Sequence, residues 1–302
     1  MIGIPFGKFV NVIDGFGASQ WAFRRGRGCQ DLVLLLISSW VKDFQDRRKV
    51  GIFLSDISGA FDRVDADRMI AKLRRLGVAP TLLAFFMDFL APRRARVAVD
   101  GADSREFCLS DMVFQGTVFG PCLWNIFFAD IHSAAERSGC RERRFADDLS
   151  TSKSFERHVA NEDIVEQMHV CQRDVHEWGV TNRVAFDPDK EEFAVLALQG
   201  GDAKSFRLLG PTIDEKLTMK ECVGKLYRQA KAKSRALLRC RRYFGLADLL
   251  LLYKAHVRSQ VEWCNGAIAH ASFCLLSHLD SVQTSFLSML AYVRVPIFLI
   301  LM

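Results

Sequence analysis

Apolar positions recur along this chain with two periods, and together they predict an ordered series of short strands and amphipathic helices. The run VGIFLSDI at 50–57 is apolar, β-branched and aromatic with charge on either side, which predicts a buried strand ending at Asp56. DADRMIAKLRRLGV at 65–78 sets Met69, Leu73 and Leu76 on one helical face, with Gly77 as a stop signal. A second helix, TLLAFFMDFL, ends before Pro92. RRARVAVDGADSREFCLS alternates about Asp100-Gly101, a strong signal for a two-residue hairpin. Gly120-Pro121 opens an apolar helix over CLWNIFFADIHSAAERS, and RRFADDLST reads as strand, tight turn, strand. Ile164, Met168, Cys171, Val175 and Trp178 then fall on one face of a helix. RVAFDPDKEEFAVLAL brings back strand, turn, strand, and past about residue 213 the pattern is helical. Mixed elements followed by helices alone predict an α+β core with a helical appendage.

Composition changes this picture little, whereas the placing of charge changes it more. With 302 residues, half hydrophobic and a quarter charged, the chain can bury a substantial core. Lys and Arg exceed Asp and Glu by 41 to 35, which permits an anionic partner without requiring one. Between Lys216 and Tyr243, however, ten basic residues face a single acid, Glu221, while Val223, Leu226, Ala230 and Leu237 keep an apolar face. Such one-sided charge suits a phosphate backbone. Nine cysteines without a CxxC pair read as reduced thiols of an intracellular protein, in nucleus or cytoplasm rather than secreted. Seven scattered histidines give no zinc spacing. The start, MIGIPFGKFVNVIDG, lacks the features of a signal peptide. The end, AYVRVPIFLILM, carries Arg294 and Pro296 and is too short to span a bilayer, so no membrane partner is expected.

The candidate chemistry lies in three acids. Asp147 and Asp148 are adjacent at a predicted hairpin turn, where two charges about 4 Å apart repel by roughly 1–4 kcal/mol. Alone, the pair reads equally as a solvated acidic turn. Asp56 adds a third acid at the end of a buried strand, a place where a carboxylate is costly unless paired or bound to a metal. Three acids on two strand ends can hold two divalent cations, the arrangement that clamps attacking and leaving oxygens in phosphoryl transfer.

Four stretches in order, DISGAFDRV at 56–64, FQGTVFGPCLWNIFFADI at 114–131, RFADDLST at 144–151 and FDPDKEEFAVL at 186–196, resemble the A, B, C and D motifs of reverse transcriptases, and most of all those of non-LTR retrotransposons. QWAFRRGRGCQD at 20–31 is similar to the family's finger motif, and FRLLGPTIDEKLTMKECVGKL looks like its passage into the thumb. The resemblance implies a right-hand polymerase: partial fingers over 1–50, an antiparallel palm sheet with helices over 51–212, and a helical thumb and tail over 213–302. It implies an RNA-directed DNA polymerase that extends a primer with dNTPs on an RNA template, using two Mg²⁺ ions, with Mn²⁺ able to substitute.

Carried over residue by residue, the resemblance makes Asp56 and Asp147 metal ligands, with the Ile57 carbonyl as a further ligand and Asp148 as a nearby acid. Phe61 falls at the aromatic gate against a sugar 2′-hydroxyl. Gln115 and Gly116 shape the floor beneath the incoming nucleotide, Arg24 meets its triphosphate, and Lys190 stands near the leaving pyrophosphate. Asp187 departs from the family, which more often has Asn there. Lys225, Arg228 and Lys231 would contact the primer-template duplex. No endonuclease segment, Cys-His knuckle or RNase H segment is recognised, which suggests a piece of a longer element. Two other readings stay open. An RNA-dependent RNA polymerase shares the palm but usually has an acid where Phe61 stands, and a non-catalytic remnant would keep the fold and the basic thumb.

Overall fold

The computed structural model describes residues 3–110, 112–198, 204–263 and 265–291, so that Cys264 and the apolar end at 292–302 lie outside the described residues. The chain divides into two compact units, Met1–Cys29 with Val50–Val195, and Gln30–Lys49 with Leu196–Met302. Gln30–Lys49 groups with the C-terminal unit because its helix Cys29–Gln45 directs Trp40 edge-on to Phe206, and because Gly266 fits closely against the Gln30 carbonyl and Leu34.

The first unit is organised on a four-stranded sheet in the order Arg141–Phe145, Asp148–Phe155, Lys49–Ser55, Glu192–Leu196. The Lys49–Ser55 strand is buried along nearly its whole length, as its apolar run requires. Helix Asn161–Asn182 lies against this strand through the predicted face of Ile164, Met168, Cys171, Val175 and Trp178, all buried. Gly51 permits the approach, for a Cβ there would stand 2.7 Å from Ile164 Cγ2 and 3.0 Å from Met168 Cγ. Thr151 donates to the Phe53 carbonyl across the sheet, and Phe53 stacks on Phe193.

Several sequence expectations are met locally. Helix Ala66–Arg75 starts where the Asp65 carboxylate accepts from Arg68 N, and Gly77 adopts a left-handed φ of 76°. Helix Pro80–Leu90 stops before Pro92, and Ala98–Val99 pairs with Ala102–Asp103 across Asp100-Gly101. Two expectations are corrected. The long helix after Gly120 is broken into Gly120–Phe127, a 3₁₀ turn Ala129–Ile131 and helix His132–Arg137, and Asp130 in the break accepts from both Lys72 Nζ and Trp178 Nε1. The strand expected before the Asp187 turn is reduced to one bridge, Phe186 with Ile57.

The second unit contains the hairpin of Ser205–Arg207 with Thr212–Asp214 and a group of helices. Buried Asp214 accepts from Thr218 N at 2.9 Å and Met219 N at 2.7 Å, which satisfies donors at the start of helix Lys220–Arg239. Val223, Leu226 and Ala230 of that helix are buried and Leu237 is half-buried. Ala230 joins Leu249, Tyr253, Val257, Val282, Phe286 and Leu290 in a separate core, with Tyr253 stacked on Phe286 at 4.3 Å.

The edge strand Arg141–Phe145 buries an ion pair. Glu142 and Arg144 have fully buried side chains, with Arg144 Nε 3.7 Å from Glu142 Oε1, and the guanidinium also donates to the Phe128 and Phe16 carbonyls. Burial lowers the Arg144 pKa, an effect that Glu142 opposes. Replacing Arg144 by Met is therefore expected to destabilise the protein by about 3–5 kcal/mol, because the fully buried Glu142 carboxylate would lose its guanidinium and keep only His132 Nδ1 at 3.2 Å, whereas Arg144→Met with Glu142→Met should recover most of that loss. Urea unfolding of the single and double variants checks this, and equal losses in both would rule out the pairing.

Candidate active site

The site is built where the sheet's two central strands end. The hairpin from Arg141–Phe145 to Asp148–Phe155 pairs Phe145 with Asp148, leaving Ala146 and Asp147 as a two-residue turn. Ala146 has φ 58°, the left-handed region, which costs a non-glycine residue roughly 1–3 kcal/mol. Buried Gln20 holds it there. Its Oε1 accepts from Ala146 N at 3.1 Å and from the Trp21 and Ala22 amides at 3.0 Å, while its Nε2 donates to the Ala146 carbonyl at 3.2 Å. Trp124 Nε1 donates to the same carbonyl at 3.0 Å. The chain around Gln20 also runs along the hairpin's free edge, with Trp21 N on the Arg144 carbonyl and Arg144 N on the Ser19 carbonyl.

This turn presents Asp147 and Asp148 towards Asp56, which follows directly after the Lys49–Ser55 strand. The three acids are electrostatically coupled. Burial pushes the Asp148 carboxyl up to about 6, with Asp56 and Asp147 adding to the effect. Asp148 is nevertheless an exposed residue, so solvent screens part of this effect. Asp147 is also raised, first by burial and then by Asp56, against the opposing pull of its own backbone and of Lys190.

Lys190 answers part of this negative charge. Its Nζ lies 2.6 Å from Asp56 Oδ2 and 3.6 Å from Asp187 Oδ2. Its turn is fixed by Lys190 N on the Asp187 carbonyl, Asp187 N on the Asp56 carbonyl and Ser58 N on the Ala185 carbonyl. Next to it, buried Glu191 accepts from Ser55 Oγ and Gln172 Nε2 and meets His176 Nε2 at 2.6 Å, tying the strand end to the long helix. Among the described residues, no three His, Cys, Asp or Glu side chains are gathered closely enough to hold a metal ion as they stand. The donor set nevertheless fits a hard divalent cation, since hard oxygen donors converge here from two strands, and the charged forms of Asp147 and Asp148 are disfavoured by burial and by Asp56. Ile57, the further ligand expected through its carbonyl, is buried beside Asp56 and bridges Phe186.

The aromatic and loop residues also meet here. Phe61 stacks on Trp124 at 5.8 Å and lies edge-on to Phe23 at 6.5 Å. Its carbonyl accepts from Val113 N, which draws in the loop carrying exposed Gln115 and Gly116, the latter with φ 78°. Arg24, expected to meet a triphosphate, also has partners within the protein. Its guanidinium donates to the Gly17 carbonyl at 2.8 Å, to the Gln20 carbonyl and to Asn11 Oδ1 at 3.0 Å, so it braces the loop that carries Gln20. Arg27 does the same through the Ala18 and Gln20 carbonyls. Lys225, Arg228 and Lys231 stand on helix Lys220–Arg239 in the other unit. The first two are exposed, while Lys231 is half-buried with Nζ on the Tyr227 hydroxyl.

Sequence reasoning passed over Gln20, Trp124 and Phe23. Gln20 and Phe23 lie inside the quoted finger motif, and Phe23 is exposed with φ 59°. The coupling of the acids has a measurable consequence. Because the folded Asp148 pKa exceeds its unfolded value, its charge destabilises the fold, and the stability present at low pH is lost as pH rises from about 4 to about 6. Without divalent cations, Asp148→Asn should therefore be more stable than the wild type above pH 6 by about 1 kcal/mol, after discounting for solvent screening, with the gap closing towards pH 4. Urea unfolding across that range, with no gain at pH 8, would disprove the coupling.

The reverse transcriptase (RNA-dependent DNA polymerase) family matches residues 8–213. An RNA-directed DNA polymerase from the mobile element jockey of Drosophila funebris is 24% identical over 282 residues, covering 87% of this chain and 30% of the relative. A probable RNA-directed DNA polymerase from transposon BS of Drosophila melanogaster is 32% identical over 112 residues, covering 37% of this chain and 12% of the relative. The chain thus spans less than a third of these relatives. The solved apo telomerase from Candida tropicalis overlays with a TM-score of 0.53 at 11% identity, covering 97% of this chain and 55% of that one, a likeness of fold alone. The expected fold class, that of a right-hand polymerase, is met. With the family match spanning more than half of its length, the chain belongs to the reverse transcriptase family.

Proposed function

We propose that this chain is the polymerase core of an RNA-directed DNA polymerase of a non-LTR retrotransposon, extending a primer 3′-hydroxyl with dNTPs on an RNA template. The reading rests above all on Asp56, Asp147 and Asp148 converging from two strand ends, where Asp56 adds to the raised pKa values of both Asp147 and Asp148. In this reading residues 1–50 contribute partial fingers, 51–212 the palm, and 213–302 the thumb. Asp56 and Asp147, with the Ile57 carbonyl and Asp148 beside them, would hold two Mg²⁺ ions, with Mn²⁺ able to replace them. When bound, such ions lower the primer hydroxyl's pKa and neutralise charge at the reacting phosphate. The protein's own task is then positioning. Gln20 and Trp124 hold the carboxylate turn, and Gln115 and Gly116 lie under the nucleotide. Lys190, a flexible point charge now on Asp56, would exchange that partner for the pyrophosphate. Exposed Lys225 and Arg228, with Lys231 behind them, would hold phosphates of the duplex without reading its sequence.

Primer extension on an RNA template with Mg²⁺ tests the reading directly. Asp147→Asn should lower dNTP incorporation at least about a thousandfold, several kcal/mol of lost charge stabilisation, with an unchanged thermal melt. Incorporation at the wild-type rate in that variant would defeat the assignment. A folded wild type without incorporation that still binds duplex would point to the non-catalytic remnant.

Phe61 tests the choice of sugar. With its ring beneath the incoming ribose, a 2′-hydroxyl meets an aromatic wall, and exclusion of one such small group is worth about 1–3 kcal/mol. Phe61→Val is therefore expected to reduce the ratio of kcat/KM for a dNTP to that for the matching rNTP by about tenfold or more, a ratio in which general losses cancel. A folded, active variant with the same ratio would return Phe61 to a packing role against Trp124 and reopen the RNA-polymerase reading.

A further inference from the structure

The C-terminal unit contains a cleft of about 250 Å³, away from the acids in sequence, between the loop at 210–212, helix Lys220–Arg239 and the end of helix Ser259–Trp263. It is smaller than the ~300–1,000 Å³ of sites for drug-sized ligands, so it suits one flat ring system. Its walls are unusual for a solvent groove. Trp263 keeps 43% of its surface exposed. Gly210 fits against its six-membered ring, where a Cβ would come within 2.4 Å of Cη2, and φ 116° at this position favours glycine. The loop backbone thereby fixes the indole from one side.

The cleft is also lined by a pair of amides. Gln260 Nε2 donates to Gln229 Oε1 at 2.6 Å. Gln260 Oε1 is buried without a hydrogen-bond partner among the described residues. A buried acceptor left unpaired costs about 1–3 kcal/mol, which favours a ligand that brings an N–H donor. Gln229, whose carbonyl oxygen takes that bond, also carries an amino group, and the donor and acceptor of an amide match a nucleobase edge. Exposed Lys225 at the rim supplies a cation for a phosphate.

We propose that this cleft binds a single unpaired nucleobase carrying an exocyclic amino group, stacked on Trp263, with its amino group on Gln260 Oε1 and its phosphate on Lys225. The ligand is a base of a single-stranded overhang next to the duplex. This goes beyond the grip on the duplex proposed above, with which it shares only Lys225. Stacking on an aromatic side chain tolerates any base, whereas the orphan acceptor favours an exocyclic amino group, with two N–H donors, over the single N3–H that uracil holds between two carbonyl oxygens. Adenine, cytosine and guanine satisfy that condition better than uracil.

The test uses the full chain and RNA–DNA duplexes, blunt or with a short overhang whose bases are adenine, uracil or abasic. For the wild type, an adenine overhang should bind about tenfold more tightly than an abasic one, with uracil between them. Trp263→Leu should abolish the advantage and Trp263→Phe, which keeps a ring, should preserve part of it. Gln260→Met should bring adenine down to the level of uracil. Arg228→Ala, outside the cleft, should weaken all duplexes alike and leave the ratio unchanged. Equal affinity for adenine and abasic overhangs, or an advantage that survives in folded Trp263→Leu, overturns the proposal. Failure to bind blunt duplex, with the adenine preference kept on single strands, would overturn the duplex grip and support the cleft.

Discussion

The site depends on a single backbone constraint, a two-residue turn that holds alanine in the left-handed region so that two adjacent carboxylates can leave the hairpin together. Glycine would adopt that conformation with less strain, but would not by itself hold the turn in place. The Gln20 amide does so instead, using its donor and its acceptor on both backbone groups of Ala146. The clamp is itself braced, since Arg24 and Arg27 donate to carbonyls of residues 17–20. Arg24 and Arg27 thus serve the geometry of the acids from a distance, by fixing the loop that fixes the turn.

Charge in this unit is held by pairing more than by exposure. Arg144 and Glu142 compensate each other inside the protein, Lys72 and Trp178 converge on Asp130, and Lys190 lies on Asp56. Each pair lies on or beside an element that leads to the strand ends carrying the three acids. A buried pair contributes little net stability but is costly to break, which makes it suited to fixing one arrangement of strands over its alternatives. Asp147 and Asp148 are the exception, with raised pKa values that Lys190 offsets only in part. The fold tolerates that repulsion at the one place where a cation would relieve it.

Local pattern made much of this legible. The buried strand at Lys49–Ser55, the face of helix Asn161–Asn182 and the Asp100-Gly101 hairpin follow from periodicity and turn chemistry, which act over a few residues. The three acids were legible because motifs place them at strand ends. Gln20 was not, since its partner lies 126 residues away and nothing local marks it. RERR at 141–144 looks like a solvated run, yet Glu142 and Arg144 alternate into the interior because the chain at 19–21 covers that edge. The break in the helix after Gly120 escaped for the same reason, as Asp130 answers to Lys72 and Trp178 rather than to its neighbours in sequence.

Trp124 joins two parts of the proposed mechanism that sequence motifs treat separately. One face of its indole stacks with Phe61, the residue assigned to exclude the 2′-hydroxyl, and its Nε1 donates to Ala146, which precedes the carboxylates. The side chain is completely buried and touches Phe127 and Phe128 as well. Interiors packed this densely respond to displacement as a unit. A shift of the Phe61 ring must therefore either tilt the indole or open a gap beneath it, and a tilt strains the hydrogen bond that helps hold the left-handed turn. In the proposed reading, recognition of the sugar and placement of the acids are mechanically coupled through one tryptophan, so a nucleotide that displaces the gate also disturbs the carboxylates it needs.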